Sequence, residues 1–306
     1  MAILSTSDTK VLLPRQVGEG MISKTLATST LAKLANQQPM LYGNVDYFTF
    51  NTAPRAEFVE EGADKASTSL GFGTVTAAPH KAQVTVRANE EVLWADEDYQ
   101  LGVLSTVAEA GAVALSRALD FGAYHRINPL TGSAITGWTD YIAGTTNSVE
   151  LSTSLDADDA LDAAISTLVD GSDSFPITGA AFDPRFSRAL ATLKIKAGDQ
   201  ATSQRRYPEL GFGNDVQSFM GLPVAQGTTV SGTPEATDTK VRAIVGDFEN
   251  GVRWGIQRNI PLEVIKFGDP DGQGDLKRKN QVALRLEVVY GWYVDPKAFA
   301  VVKAAA

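Results

Sequence analysis

An α+β fold is expected for this chain, on three observations. One long helical pattern runs through "DEDYQLGVLSTVAEAGAVALSRALDFGAYH". Two long alternating runs lie near the end of the chain around a Gly/Asp turn, and between these features short helices mix with buried strands. With 306 residues, 43% of them apolar and 21% charged, the chain can bury a real core in one or two domains.

Residues 1 to about 20 are polar and punctuated by Pro14, Gly18 and Gly20. "MISKTLATSTLAKLA" then places Ile22, Leu26, Leu31 and Leu34 near helical spacing, and Pro39 ends it. So short and Thr-rich a segment does not hold a helix alone, so it is expected to be an arm lying on another surface. Residues 42 to 59 and 82 to 94 read as strands. Between them Gly62 to Pro79 is mostly Gly, Ala, Ser and Thr, a long finger with almost nothing to bury. Its support has to come from outside this chain's own core.

In the long helix Leu101, Leu104, Ala108, Leu115 and Leu119 mark one face. Asp96, Glu97 and Asp98 suit its positive end and His125-Arg126 its negative end. About 28 residues make a rod of roughly 40 Å. Ala110, Gly111, Ala112 and Ala114 allow close approach of whatever crosses it.

After the turn-rich "NPLTGSAITGW" come two shorter helices. The first, "LDADDALDAAISTLVDG", has Leu161, Ile165 and Leu168 inward and Gly171 as its stop. The second, "DPRFSRALATLKIKAG", is capped by Asp183, starts at Pro184 and is expected to end at Gly198. "FPITGAAF" between them reads as a buried strand, and residues 199 to 216 as a polar loop. "FMGLPVAQGTTV" and "VRAIVGDFENGVRWGI" supply strands and turns, and residues 260 to 294 a long β-hairpin.

The absence of cysteine excludes disulfides, thiolate zinc sites and Cys nucleophiles. A net charge of -9 argues against a broad nucleic-acid-binding face. No signal-peptide pattern and no apolar run near the length of a membrane span is visible. A soluble, acidic protein made in the cytoplasm is expected.

Chemical motifs are weak. His80 and His125 read as surface or capping residues rather than catalytic ones. "DPDGQGDLKRKN" mimics the start of a calcium loop at Asp269, Asp271, Gln273 and Gly274, but position twelve is Asn280 and strands flank it, so a hairpin turn is the better reading. The "GFG" triplets at Gly71-Phe72-Gly73 and Gly211-Phe212-Gly213 lack the rest of a phosphate loop. Asp156, Asp158, Asp159 and Asp162 gather at a helix N-terminus, where carboxylates offset the dipole. No catalytic residue, cofactor or metal is assigned.

The order of parts resembles the major capsid proteins of tailed phages, the family with the HK97-like fold. "AEFVEEG" at 56 to 62 is similar to the entry to that family's extended loop, and "HKAQVTVRANEEVLWAD" to the strand running into its spine helix. "FDPRFSRALATLK" and "GLPVAQGTTV" resemble its middle-domain helix and strand. "IVGDFENGVRWGIQRNIPLEVI" and "VALRLEVVYGWYVDPKAFAVVKA" resemble its C-terminal signature, so the likeness spans about residues 20 to 304.

The resemblance implies an N-terminal arm at 1–52, an E-loop at 53–82, and a P-domain made of the spine helix (83–132) and the long hairpin (256–293). It also implies an α/β A-domain at 133–255, to which a C-terminal strand (294–306) returns. The finger, as the E-loop, would pack across a neighbouring subunit, which would supply its missing core. Hexamers and pentamers of the chain would form an icosahedral shell around phage double-stranded DNA, assembled in the host cytoplasm. Separate scaffolding, portal and decoration proteins are conceivable partners, and no membrane is involved. A Lys–Asn isopeptide, known in some relatives, would need Lys65 and Asn280, but no accompanying carboxylate is identifiable and no crosslink is expected.

The charges add one expectation. Glu57, Glu60, Glu61 and Asp64 at the finger are expected to meet Lys277, Arg278 and Lys279 of another subunit; the alternative is two solvated charge runs. Alternatives for the whole chain are an encapsulin-type compartment shell protein, an acidic α+β hydrolase, or a tail component.

Overall fold

A computed structural model describes residues 28–41, 43–52, 56–65, 67, 71–91, 97–152, 155–171, 174–197, 200–211 and 216–305. The described helices and sheets mix in the α+β manner expected. Most of the expected arm, including Ile22 and Leu26, lies outside these residues, as does Phe212 of the second GFG triplet.

The arm enters as a five-residue helix, α1 (Thr30–Leu34), which stops well before Pro39. Ser29 caps it by accepting from the Ala32 amide, and Leu31 is buried. Its support is this chain's own core, as a helix of this length requires.

The finger departs from expectation. Strand β1 (Val45–Thr52) pairs antiparallel with β2 (Gly71–Ala77), in register from Val45 opposite Ala77 to Phe50 opposite Phe72, after which the register shifts and Thr52 faces Gly71. Half of the segment read as coreless is therefore one strand of a two-stranded ribbon. Ladder hydrogen bonds, rather than a core, satisfy its backbone, and Thr74, Val75 and Thr76 suit an extended chain. Residues 56–65 continue beyond the ribbon's far end, all exposed.

After Ala78 the chain continues into β3 (Pro79–Asn89), and then into the long helix α2 (Glu97–His125). A short hairpin of β4 (Ile127–Asn128) and β5 (Ser133–Ala134) follows. The middle of the chain holds β6 (Ser148–Glu150), α3 (Ala157–Val169), β7 (Gly179–Phe182) and α4 (Pro184–Thr192). Asp183 caps α4 as expected, accepting from the Arg185 amide at 2.8 Å.

The second helix ends six residues earlier than expected. "KIKA" is strand β8 (Lys194–Ala197), paired with β9 (Gln200–Arg205), so part of the polar loop is a hairpin as well. Alternation in Lys194-Ile195-Lys196-Ala197 suits a ribbon with one exposed face better than another helical turn.

Strands β10 (Ser218–Phe219), β11 (Leu222–Gln226), β12 (Val241–Gly246), β13 (Val252–Ile265), β14 (Gln281–Val294) and β15 (Phe299–Lys303) complete the set. One sheet runs β10-β11-β7-β12-β15-β6 and a second runs β13-β14-β3. The expected C-terminal hairpin is β13–β14, and it starts eight residues earlier than its sequence pattern suggested.

Two clusters form the core, one on each face of the six-stranded sheet. Val245, Ala300 and Val302 pack with Leu161, Leu168, Phe186 and Leu190 of α3 and α4. Ile244, Phe299 and Val301 pack on the other side with Leu115, Leu119, Trp254, Leu286 and Trp292. Burial on both faces explains the near-continuous apolar runs "VRAIVG" and "FAVVK". The small residues of α2 serve the contact predicted for them, because a Cβ on Gly111 would lie 2.7 Å from Leu286 of the crossing strand β14.

Candidate functional site

The features able to contact other molecules are the finger, the loop joining β13 to β14, and an aromatic hollow at the base of the ribbon. Polar or aromatic anchors set the arm, this loop and the hollow.

The first anchor is Asp120 on α2. It is fully buried and accepts from Ser29 Oγ, the Thr30 amide (2.9 Å), Thr30 Oγ1 (2.8 Å), the Leu31 amide (3.2 Å) and Thr229 Oγ1 (2.7 Å). A carboxylate at the first amides of α1 is where the helix dipole favours negative charge. Burial raises the pKa of Asp120 above its ordinary value, with the hydrogen bonds opposing it. Ser116, Asp120 and Tyr124 recur every fourth residue on one face of α2, and all three meet the arm: Ser116 bonds Thr28, and the Tyr124 hydroxyl lies 3.1 Å from Thr30 Oγ1. That polar stripe was readable in the sequence and was passed over.

The hairpin loop has a different anchor. Arg87 of β3 reaches into "DPDGQGD", bonding Asp269 at 3.0 Å, both Asp271 oxygens through Nε at 2.8 and 2.7 Å, and the Gly274 carbonyl at 2.8 Å. Asp269 accepts from the Gly274 amide and Asp271 from the Gln273 amide. The calcium-like loop is thus a turn, as expected, with a guanidinium where an ion would sit. Hydrogen bonding to Arg87 holds Asp271 below its usual range.

The acidic cluster is arranged in the same way. Asp156, Asp158 and Asp159 offer oxygens within 4.8 Å of one another. Arg206 bonds Asp158 and lies 4.0 Å from Asp159, while Tyr207 donates to Asp158 at 3.1 Å. Burial pushes Asp158 upward, but the bonds from Arg206 and Tyr207 outweigh it and the net shift is down.

Both histidines correct the surface-or-cap reading. His125 is buried, and its Nε2–H donates to the Val230 carbonyl at 2.9 Å. His80 is half-buried with its ring 4.1 Å from both Trp138 and Trp292. Burial lowers each to a pKa of about 4, so both are neutral at pH 7. Sequence spacing could not reveal this, because Trp138 and Trp292 reach His80 from distant parts of the chain.

A cavity of about 460 Å³ opens beside His80, lined by Lys81, Ala118, Leu130, Trp138 and Trp292 among others. Leu130 at its rim is 91% exposed.

The charged residues proposed to meet across subunits are placed as follows. Glu57, Glu60, Glu61 and Asp64 are exposed on the finger. Lys277 bonds Glu90 of its own chain at 3.1 Å, and Lys279 bonds the Gln273 carbonyl. Arg278 is exposed. Lys65 and Asn280 are exposed too, Asn280 in the left-handed conformation that ends the turn 277–279.

Among the described residues with a resolved shift, Asp120 is the carboxylate raised by burial, and it lines none of the described cavities. That is not the pair of convergent, accessible carboxylates an acid–base hydrolase needs.

The chain is similar to known shell proteins over almost its whole length. The sequence profile of the phage capsid family matches residues 9–304. A solved chain from Mycobacterium phage Ogopogo is 46% identical, with 91% of this chain and 92% of that one covered and a TM-score of 0.79. A chain from Gordonia phage Cozz is 31% identical, covering 91% and 87%, also at 0.79. A chain from the capsid of a native GTA particle shares the fold at 18% identity, covering 91% of each chain, with a TM-score of 0.58. No curated protein matches the chain. This protein belongs to the phage capsid family and has its HK97-like fold.

Proposed function

We propose that the chain is the major head protein of a tailed phage, assembling as hexamers and pentamers into an icosahedral shell around double-stranded DNA. The observation that carries this reading is the family match over residues 9–304, together with a ribbon whose outer residues 56–65 are all exposed. Tyr47 at the ribbon's base stacks on Tyr293 of the same chain, whereas the exposed residues 56–65 gain cover from another copy. In this reading β1, β2 and the residues between them are the E-loop, and α2 with the three-stranded sheet is the P-domain. The six-stranded sheet with α3 and α4 is the A-domain, and β15 is the returning C-terminal strand.

The role is structural rather than catalytic. Each interface is modest, and closure of the shell makes the whole resistant where each contact is weak. The net charge of -9 suits a wall that does not trap packaged DNA. Finger acids Glu57, Glu60, Glu61 and Asp64 meet Lys277, Arg278 and Lys279 of another subunit, setting register more than strength. No described helix is long and apolar enough to cross a membrane. Assembly takes place in the host cytoplasm and the product is the virion capsid, with scaffolding, portal and decoration proteins as further partners. The likeness to mycobacterial and Gordonia phage chains favours this over a bacterial compartment.

Negative-stain electron microscopy and size-exclusion chromatography of the chain expressed alone test the reading. Closed shells, or rings of five or six subunits, are expected. A clean monomer that stays monomeric when co-expressed with its neighbouring head genes would overturn it.

A further inference from the structure

Among the described residues of the finger Phe58 is the most exposed large apolar one, fully open to solvent, and Val59 beside it is 38% exposed. It stands among carboxylates, with Glu57, Glu60, Glu61 and Asp64 close in sequence. A phenyl ring held out in water at the end of a ribbon costs free energy unless something covers it.

The ribbon itself excludes the nearest cover. Ladder pairing runs from Ala77 at its base to Gly71 at its far end, seven residues in all. At about 3.3 Å per residue that carries the tip roughly 20 Å beyond the base. His80 and its cavity lie three residues past Ala77, at the base. Thr52 and Gly71, between which Phe58 lies in sequence, therefore stand at the end of the ribbon away from the chain's own cavity.

The cavity is suited to such a guest. Its volume of about 460 Å³ falls in the range that binds compact organic groups. His80, Trp138 and Trp292 present ring faces and edges, with the two indoles 5.3 Å apart in a T-shaped pair. Leu130 stands almost wholly exposed at the mouth and gains cover only from a guest. Among the described residues lining the cavity Lys81 is the one that is charged, and none is acidic. Its side chain, 55% exposed and bonded to Glu287, faces a guest segment that carries four carboxylates.

We propose that Phe58 of one copy inserts into the cavity between His80, Leu130 and Trp138 of the neighbouring copy. The insertion buries the phenyl ring and Leu130 together, and places Glu57, next to the ring in sequence, beside Lys81. This deepens the shell-protein reading and rests on it: the partner is a second copy, and the contact is heterologous, the kind whose repetition makes a ring when the rotation closes.

The chain has no cysteine, which makes the test clean. Phe58→Cys and Leu130→Cys are combined in one chain, assembled and mildly oxidised, with each single variant as control. A non-reducing gel is expected to show a ladder of covalent multimers from the double variant, at least tenfold more intense than from either single variant. Assembled particles without that ladder, or an equal ladder from Phe58→Cys alone, overturn the insertion and leave the shell reading standing. If the cysteine pair blocks assembly, a benzophenone amino acid at position 58 replaces it. Photo-adducts mapped by mass spectrometry to residues 80–82, 127–138 or 290–292 of another copy support the proposal, and adducts elsewhere overturn it. An unmodified chain that never leaves the monomer state overturns the shell reading itself, and the insertion with it.

Discussion

Asp120 accepts a hydrogen bond from Thr229 Oγ1 at 2.7 Å while its two oxygens also hold the first amides of the arm helix. One buried carboxylate thereby ties together the long helix, the turn that follows β11, and the arm.

Replacing Asp120 by Asn keeps the shape but turns one acceptor into a donor facing donors. The Thr30 or Leu31 amide is left without a partner, at a cost of about 1–3 kcal/mol. The expected outcome for Asp120→Asn is a lower denaturant midpoint and faster proteolysis near residues 28–35. A variant with unchanged midpoint and unchanged cleavage would show that the carboxylate holds nothing.

His125 makes stability depend on pH in a stated direction. Its pKa is about 4 in the folded chain and near 6.5 unfolded, so as pH falls the unfolded imidazole takes up its proton first. The stabilisation is fully present above about pH 6.5, declines between 6.5 and 4, and is gone below. For this deeply buried ring the span is on the order of 3 kcal/mol. His80 acts in the same direction, by less, being partly exposed. Denaturant titrations at pH 4, 5, 6 and 7 should show the slope flatten in His125→Gln.

Gly122 lies against Trp292. A Cβ there would stand 2.7 and 2.9 Å from ring carbons of a buried indole. Overpacking costs about 1–3 kcal/mol, while the helix gains up to about 1 kcal/mol on replacing glycine. Gly122→Ala is therefore expected to lower stability and to shift tryptophan fluorescence. A more stable variant would mean that Trp292 moves aside without cost.

Arg87 fills the loop that mimics a calcium site. Calcium added to the unaltered chain is expected to leave the melting temperature unchanged, because the carboxylates of Asp269 and Asp271 already bind a guanidinium. Arg87→Ala should raise amide exchange in residues 269–276. Calcium-dependent stabilisation of the unaltered chain would contradict the arrangement.

Reversing Lys277, Arg278 and Lys279 to Glu removes one exposed ion pair within the chain, Lys277 with Glu90, worth roughly 0–1 kcal/mol. The fold is expected to survive with a nearly unchanged melting temperature, and closed shells to fail. Normal shells from that variant would leave the charge pairing between subunits without support.

Local pattern alone determined the long helix, the closing hairpin, the Asp183 cap and the buried strand "GAAF". In each the apolar period or the capping chemistry is complete within a few residues. The family resemblance was legible because many such segments recur in order. Elsewhere the determining partner is remote in sequence. The Gly- and Thr-rich strand β2 exists because β1 supplies its hydrogen bonds from some 25 residues away, and "KIKA" leaves the helical path because β9 pairs with it. His80 became a half-buried member of an aromatic cluster only where Trp138 and Trp292 converge on it, and the DPDGQGD loop became a turn around Arg87 because β3 lies beside β14. Hydrogen bonds, ion pairs and ring contacts act over a few ångströms in space and carry no signal of chain separation. Residues whose roles rest on them were settled by the tertiary structure.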